Sequence, residues 1–254
     1  MLNRLEGIQF VLTGDFNQFA PFFNSWFGAP VHEDAFKISS FYHYLAGGNR
    51  LELREGHRSD MELFNFYNSL IAGGDRFQQP LAEAIEAARS ICGFEGPARH
   101  NLVLSHRRRV ILNREMNKAF LPEHVIPRFV RASVKKGQQC AAQNMFLWDG
   151  IELIGCVQAV RKFVRNNVRY VVSALGEDLV TLKIAEGEGE PFQLTYPQVA
   201  EFLRLSFAQT YASCQGSEFT DTLRLHDVTN KHFTKKHLFV AMSRARERVK
   251  LSIA

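Results

Sequence analysis

The chain has 254 residues, 46% of them hydrophobic and 22% charged, which is enough apolar material for two compact cores and too much for a disordered chain. No stretch approaches the ~18 apolar residues of a membrane span, and MLNRLEGIQF lacks the basic start and cleavage site of a secretory leader, so the expectation is an intracellular protein, nuclear or cytoplasmic, with no membrane partner. The net charge of +5 favours a polyanionic partner, while Cys92, Cys140, Cys156 and Cys214 stand apart without a C-x-x-C pair or a histidine at ligand spacing, which argues against a disulfide frame or a metal site.

Gly7–Thr13 (GIQFVLT) is a short apolar run closed by Gly14-Asp15, the pattern of a buried strand ending in a tight turn, with Asp15, Asn17 and Gln18 in the loop at its carboxyl end. Residues 22–45 are rich in Phe and Tyr, are interrupted by Gly28 and Pro30, and read as an irregular connector with a short helix near Ser39–Leu45 and with most aromatics in the core. Arg50–Leu53 reads as a strand. Ser59 or Asp60 then caps a helix in which Leu63, Phe66, Tyr67, Leu70 and Ile71 recur at helical spacing up to Gly73-Gly74. That order puts Arg58 between a strand end and a helix N-terminus, where it can touch a phosphate. Its alternative role is an ion pair with Glu55 or Asp60.

Pro80–Ser90 is an amphipathic helix, Asn101–Ser105 a strand, His106–Arg109 a basic link, and Val110–Phe120 a helix with Asn113 and Asn117 on one face. Consecutive basic residues between strand and helix suit backbone phosphates, and a solvated basic run is the plainer alternative. From about residue 127 to 205 the pattern changes to short strands: Glu152–Val160, a turn at Arg165-Asn166-Asn167, Val168–Ser173, Asp178–Ile184, and Phe192–Tyr196 beyond Gly187–Pro191. So many short strands cannot continue a parallel sheet and suggest a small inserted β-barrel. Leu203–Tyr211 reads as one apolar strand. His226, His232 and His237 have no metal spacing and read as surface or capping residues. Leu238–Met242 is an apolar run, Ser243–Arg248 is basic, and Val249, Leu251 and Ile253 alternate. The reading is a buried strand, a charged turn and a second strand, with Arg244, Arg246 and Arg248 at the end of a sheet, where α/β folds place their ligands; a solvated basic turn is the alternative.

Several of these segments resemble the motifs of superfamily 1 helicases, particularly the PIF/RecD-like branch. Gly14-Asp15-Phe16-Asn17-Gln18-Phe19-Ala20-Pro21 is similar to G-D-x-x-Q-L-P-P, with Phe19-Ala20 in place of Leu-Pro. Arg58 and the helix Phe64–Gly73 resemble the family's fourth motif. Ala208, Thr210, Gln215 and Gly216 match A-x-T-I-H-K-S-Q-G-x-T, although Ala212 and Ser213 replace its His-Lys pair and Cys214 its serine. Val240–Ala245 resembles V-A-L-S-R-A. Ser105, His106, Arg107 and Asn113 fit a strand followed by [T/S]-x and R-x-x-x-x-x-N, and the Asn166-Asn167 turn resembles an N-G-x-x-G-x-V hairpin.

The resemblance implies an α/β fold: a RecA-like (P-loop NTPase-type) second helicase core domain over 46–126 and 206–254, an SH3-like β-barrel inserted over 127–205, and the end of the first RecA-like domain with a connector over 1–45. It implies ATP with Mg²⁺, bound through Gly14, Asp15, Gln18, Arg58, Gln215, Gly216 and Arg244, with Gln18, Arg58 and Arg244 sensing the terminal phosphate and Arg244 acting as an arginine finger. It implies single-stranded DNA as partner, contacted by Ser105, His106, Arg107, Asn113, Asn166, Asn167 and Thr210, and 5′ to 3′ movement. Lys135, Lys136, Arg161, Lys162, Arg165 and Arg169 make the insert's approach basic, and part of that set is expected to face nucleic acid. No G-x-x-x-x-G-K-[S/T] occurs, since Ala46–Arg50 and Ala72–Arg76 lack its lysine and hydroxyl. The expectation is a carboxyl-terminal helicase half partnered by an upstream P-loop-bearing domain, binding single strands weakly and hydrolysing essentially no ATP alone. Two alternatives are a superfamily 1 viral RNA helicase and a non-catalytic nucleic-acid-binding or scaffold domain; the S-R-A ending and the Asn-bearing hairpin favour DNA.

Overall fold

A computed structural model describes residues 11–19, 25–32, 35, 38–49, 51–53, 55–132, 143–159, 163–187 and 189–254. Val11–Thr13 are exposed and pair with no strand, so the described end of the expected strand is not one; Gly7–Phe10 and Ala20-Pro21 lie outside the described residues. An apolar run becomes a strand only where a neighbour accepts its backbone hydrogen bonds, and none does so here. Asp15 instead starts a turn: its carbonyl accepts from the Gln18 N–H (3.2 Å) and its carboxylate from the Asn17 N–H (2.9 Å). β1 (Ser25–Trp26) and β2 (Ala29–Pro30) form a small hairpin with Phe27 and Gly28 at positive φ in its tip. α1 (Ser40–Leu45) forms where expected but buries nothing, leaving Phe41, Tyr42 and Tyr44 exposed, so these connector aromatics are not core. Leu51 and Leu53 are likewise exposed and form no strand.

Beyond Gly56 the chain packs. α2 (Met61–Ser69) is capped by Asp60, whose carboxylate accepts from the Leu63 N–H at 2.9 Å, and it buries Leu63, Phe66 and Tyr67. α3 (Leu81–Ile91) buries Ala84, Ile85 and Ala88. β3 (His100–Val103) is followed at once by α4 (His106–Ala119), which begins four residues before the expected Val110. The reason is local: Ser105 caps the helix by accepting from the Arg108 N–H (3.2 Å), and arginine is a good helix former, so the basic run is the first turn rather than a link.

The inserted region begins with β4 (Arg128–Val130) paired antiparallel to β5 (Met145–Leu147). β6 (Glu152–Gly155), β7 (Arg169–Leu175), β8 (Leu179–Ile184) and β9 (Phe192–Thr195) then run as an antiparallel meander. α5 (Tyr196–Phe202), opened by a Thr195/Gln198 capping box, carries the chain to β10 (Leu203–Leu205), which pairs with β6 to give the order β10-β6-β7-β8-β9. Leu147, Trp148, Ile151, Leu153, Tyr170 and Leu182 belong to this sheet's own core.

The run expected as a single strand over Leu203–Tyr211 breaks at Ser206-Phe207, and its second half, β11 (Ala208–Thr210), joins a different sheet. β11, β3, β12 (Leu223–Leu225) and β13 (Leu251–Ile253) form a parallel sheet in the order β11-β3-β12-β13, with a second core of its own. Leu238–Met242 is not the expected strand: it lies in α6 (Lys235–Met242), buried on every side. A short apolar run carries no period, and the deciding signal is upstream, where Thr234 and His237 form a capping box. Cys92 is half-buried and Cys156 and Cys214 are buried; Cys140 lies outside the described residues. Among the described residues no helix is long and apolar enough to cross a membrane.

Candidate functional site

Residues 58–60 and 243–248 are zipped together. The Arg58 Nη1 donates to the Ser243 carbonyl (3.2 Å) and the Ser59 hydroxyl to the Ala245 carbonyl (2.7 Å). The Asp60 N–H donates to the Arg246 carbonyl (2.7 Å), and the Asp60 carboxylate accepts from the Arg248 N–H (2.7 Å). Ser243 is the C-cap of α6, so its carbonyl has no partner within the helix, and Arg58 supplies one. From the other side the Phe219 N–H donates to the Arg244 carbonyl (2.8 Å) and the Arg246 N–H to the Phe219 carbonyl (3.3 Å). Each such bond contributes about 1 kcal/mol net, and together they fix where Arg244 stands.

Arg244 is only 5% exposed, and its Nε is buried without a hydrogen-bond partner. Burial lowers its pKa from the ordinary arginine value; the Arg58 charge pushes the same way, and Cys214, Asp15 and Tyr67 oppose it. Arg58 lies 3.5 Å from Glu218, and Arg246 holds the same carboxylate, so Arg58 is paired with neither Glu55 nor Asp60. Gln18 Nε2 donates to the Asp15 carboxylate at 3.2 Å, and the ring of Phe19 packs 4.7 Å from that of His237 on α6, which seats the loop. Asp15, Gln18, Arg58 and Arg244 therefore share one neighbourhood. Gly14, next to Asp15, is exposed. Half-buried Gln215 and exposed Gly216, whose φ is +83°, follow Cys214, a thiol pushed up to about 12 by burial and itself an influence on Arg244.

These arginines enter β13 from its amino end, not at the carboxyl edge of the sheet where the sequence put them. The carboxyl edge carries Ser105 and Thr210, the residues that follow or end the paired strands β3 and β11. Ser105, His106 and Arg107 are exposed there, and burial followed by Arg109 and Arg204 lowers the His106 pKa. Thr210 is buried and bonded to Ser213 (3.0 Å between hydroxyls). Asn113 is 0% exposed: its carbonyl oxygen accepts from the Ala208 N–H (2.8 Å) and its amide donates to the Ala208 carbonyl and to Gln143 (both 3.2 Å). It closes the edge of β11 from inside, so a direct strand contact from Asn113 does not fit this structure. Asn166 and Asn167 are far from that edge in sequence, in an exposed turn where Asn167 takes φ +63° and its side chain accepts from Arg204 (3.4 Å).

No protein-family model matches the sequence, and no curated protein matches it. Solved structures do. A crystal structure of Pif1 helicase from Candida albicans superimposes with a TM-score of 0.60 at 17% identity, covering 94% of this chain and 62% of that one. A Bacteroides Pif1 bound to ssDNA gives 0.55 at 17% identity over 80% of this chain and 51% of that one, and a Bacteroides Pif1 in complex with ADP-AlF3 and ssDNA gives 0.54 at 18% identity over the same shares. The chain has the fold of these Pif1 structures over the shares matched. It spans about half to three-fifths of the Pif1 chains it matches. The parallel sheet with its helices fits a RecA-like domain, and the antiparallel sheet lies in the chain between α4 and β11.

The residues present fit a phosphate group: the Arg58 and Arg244 guanidinium groups influence one another, Arg244 has a buried unpartnered Nε, and Asp15, which holds the Gln18 carboxamide, acts on Arg244 as well. They do not fit a metal. Among the described residues no group of three or more His, Cys, Asp or Glu could hold one. Glu218, Phe219, Ser59 and Asp60 were not singled out as site residues by the sequence. Ser59 and Asp60 carried a signal, as alternative helix caps, but the bonds of Ser59 to Ala245 and of Asp60 to Arg248 span the fold and leave no local trace.

Proposed function

We propose that the chain is the carboxyl-terminal part of an ATP-dependent helicase or translocase on single-stranded DNA, moving 5′ to 3′. It comprises the end of a first RecA-like domain with its connector (1–45), a second RecA-like domain (46–126 and 206–254) and an SH3-like barrel (127–205). The observation that carries this reading is Arg244: nearly buried, its Nε unpartnered, beside Arg58 and the Asp15–Gln18 turn. Arg244 and Arg58 stabilise the charge that develops on the terminal phosphate, Gln18 orients toward it, and Gly14, Asp15, Gln215 and Gly216 line the approach. The P-loop and the Mg²⁺ ligands come from an upstream domain, and when bound the nucleotide supplies the phosphoryl group transferred to water.

The strand-binding surface is supported by a local electrostatic conflict. The first turn of α4 carries Arg107 and Arg108 and no acidic residue, so cations sit at the positive end of a helix. A backbone phosphate relieves that conflict, with Ser105, His106 and Arg107 as its contacts and Asn166 and Asn167 meeting the strand from the insert. Asn113 and Thr210 act from beneath, by fixing β11. The test is Arg244→Ala in the complete protein: ATP hydrolysis stimulated by single-stranded DNA is expected to fall by about 10³-fold or more, as for other arginine fingers, while oligonucleotide affinity is retained. Undiminished hydrolysis in the variant would refute the reading.

A further inference from the structure

The two sheets carry separate cores and meet at a polar cavity of about 220 Å³ lined by Arg99, His100, Glu152, Arg169, Glu186 and Glu218, among others. Two of its carboxylates are already engaged, Glu152 by Arg169 at 3.5 Å and Glu218 by Arg58 and Arg246. That makes the cavity a joint rather than a ligand pocket. Phe219 stands in the chain between two of the lining residues, Glu218 and Thr220. The Arg169 guanidinium, on β7 of the insert, lies 5.1 Å from the centre of the Phe219 ring, and the His100 ring at the start of β3 lies 4.9 Å away on the same residue. Arg169 is therefore not one of the solvent-facing basic residues the sequence suggested: its side chain is 14% exposed and its Nη2 is buried without a hydrogen-bond partner. A cation over an aromatic face is held more strongly as water is excluded, so this contact is a firm one.

The dipeptide Glu218-Phe219 touches every party. The Phe219 backbone bonds on both sides of Ala245, its N–H to the Arg244 carbonyl and its carbonyl to the Arg246 N–H, in a parallel bridge. The Glu218 carboxylate holds Arg58 and Arg246. The Phe219 ring meets Arg169, which is tied through Glu152 to β6 and so to the whole antiparallel sheet. A displacement of the insert thus reaches the Arg244 peptide through one ring and two hydrogen bonds.

We propose that Arg169 is a positioning residue that couples the insert to the phosphate-sensing arginines through Phe219, so that strand binding on the insert sets the placement of Arg58 and Arg244. This rests on the function proposed above. The experiment uses the complete protein and its Arg169→Gln, Arg169→Lys and Phe219→Leu variants, each checked for an unchanged unfolding midpoint. ATP hydrolysis is measured with and without an oligothymidylate, and oligothymidylate affinity by fluorescence anisotropy. In Arg169→Gln, basal hydrolysis and affinity stay at the wild-type level while stimulation by the strand falls about 5-fold or more, the lower end of typical coupling between sites. Phe219→Leu behaves alike, and Arg169→Lys, which keeps the cation, recovers part of the stimulation. Wild-type stimulation in both Arg169→Gln and Phe219→Leu overturns the coupling, as does a joint loss of basal hydrolysis and affinity, which would mean a merely structural role. Wild-type protein with no strand-stimulated hydrolysis overturns the function itself, and is told apart because it appears before any substitution.

Discussion

Arg244 is placed by backbone atoms rather than by side-chain partners: its own carbonyl is taken by Phe219, and the carbonyls on either side, of Ser243 and Ala245, are taken by Arg58 and Ser59. This leaves its Nε uncommitted, as the proposed role toward a phosphate requires. A different residue reports on the fold's own stability. His226 Nε2 lies 2.9 Å from Asn101 Oδ1, and burial, helped by Arg224 and Arg108 and opposed by Asp227, lowers its pKa to about 4 from an ordinary 6.5. The folded value is the depressed one, so between those pH values the unfolded chain holds a proton that the folded chain does not. Stability contributed by neutral His226 is complete above pH 6.5 and is lost as pH falls toward 4. His226→Asn is expected to unfold with a shallower loss of midpoint temperature across that window than wild type; superimposable pH profiles of the two would show that His226 is not buried as described. His100 is shifted the same way, first by burial and then by Arg169 and Arg99, so some acid sensitivity persists in the variant.

At the scale of elements, the turn that aims Asn166 and Asn167 depends on a close approach. A Cβ added to Gly155 at the end of β6 would lie 2.0 Å from the Arg165 carbonyl oxygen, a backbone atom with little room to move. Gly155→Ala is expected to destabilise the insert by roughly 1–3 kcal/mol, as overpacking does, seen as faster amide exchange in β6 and β7 with the parallel sheet unaffected. Unchanged exchange there would mean the approach is looser than it looks. Most elements with a clear period or a cap were legible from the sequence: α2 from Leu63, Phe66 and Tyr67 behind Asp60, α3 from its amphipathic pattern, and β7 to β9 from alternation. Those without a period were not. Leu238–Met242 is apolar at every position and fits strand or helix equally, and Leu203–Tyr211 gives no sign that Ser206 and Phe207 carry it from one sheet to another. The exposed Phe41, Tyr44, Leu51 and Leu53 failed for a further reason, since composition marks them as apolar but cannot say whether anything covers them.

For the molecule as a whole, the motif residues were readable because each sits in a short local pattern, while what holds them together was not. Glu218 pairs with Arg58 across most of the chain, and Phe219 bridges two sheets; neither contact has a spacing that a sequence could display. In the proposed function, two cores joined at a polar seam let a strand held by one part be felt at a phosphate group held by the other. The decisive measurement is a structure of the complete protein with a terminal-phosphate mimic such as ADP–aluminium fluoride. Convergence of the three side chains requires guanidinium nitrogens of Arg58 and Arg244 within about 3 Å of the mimic's fluorides, as in any charge-assisted bond, with the Gln18 carboxamide beside them. A mimic bound with Arg244 still turned inward and Arg58 still on Glu218 would contradict it.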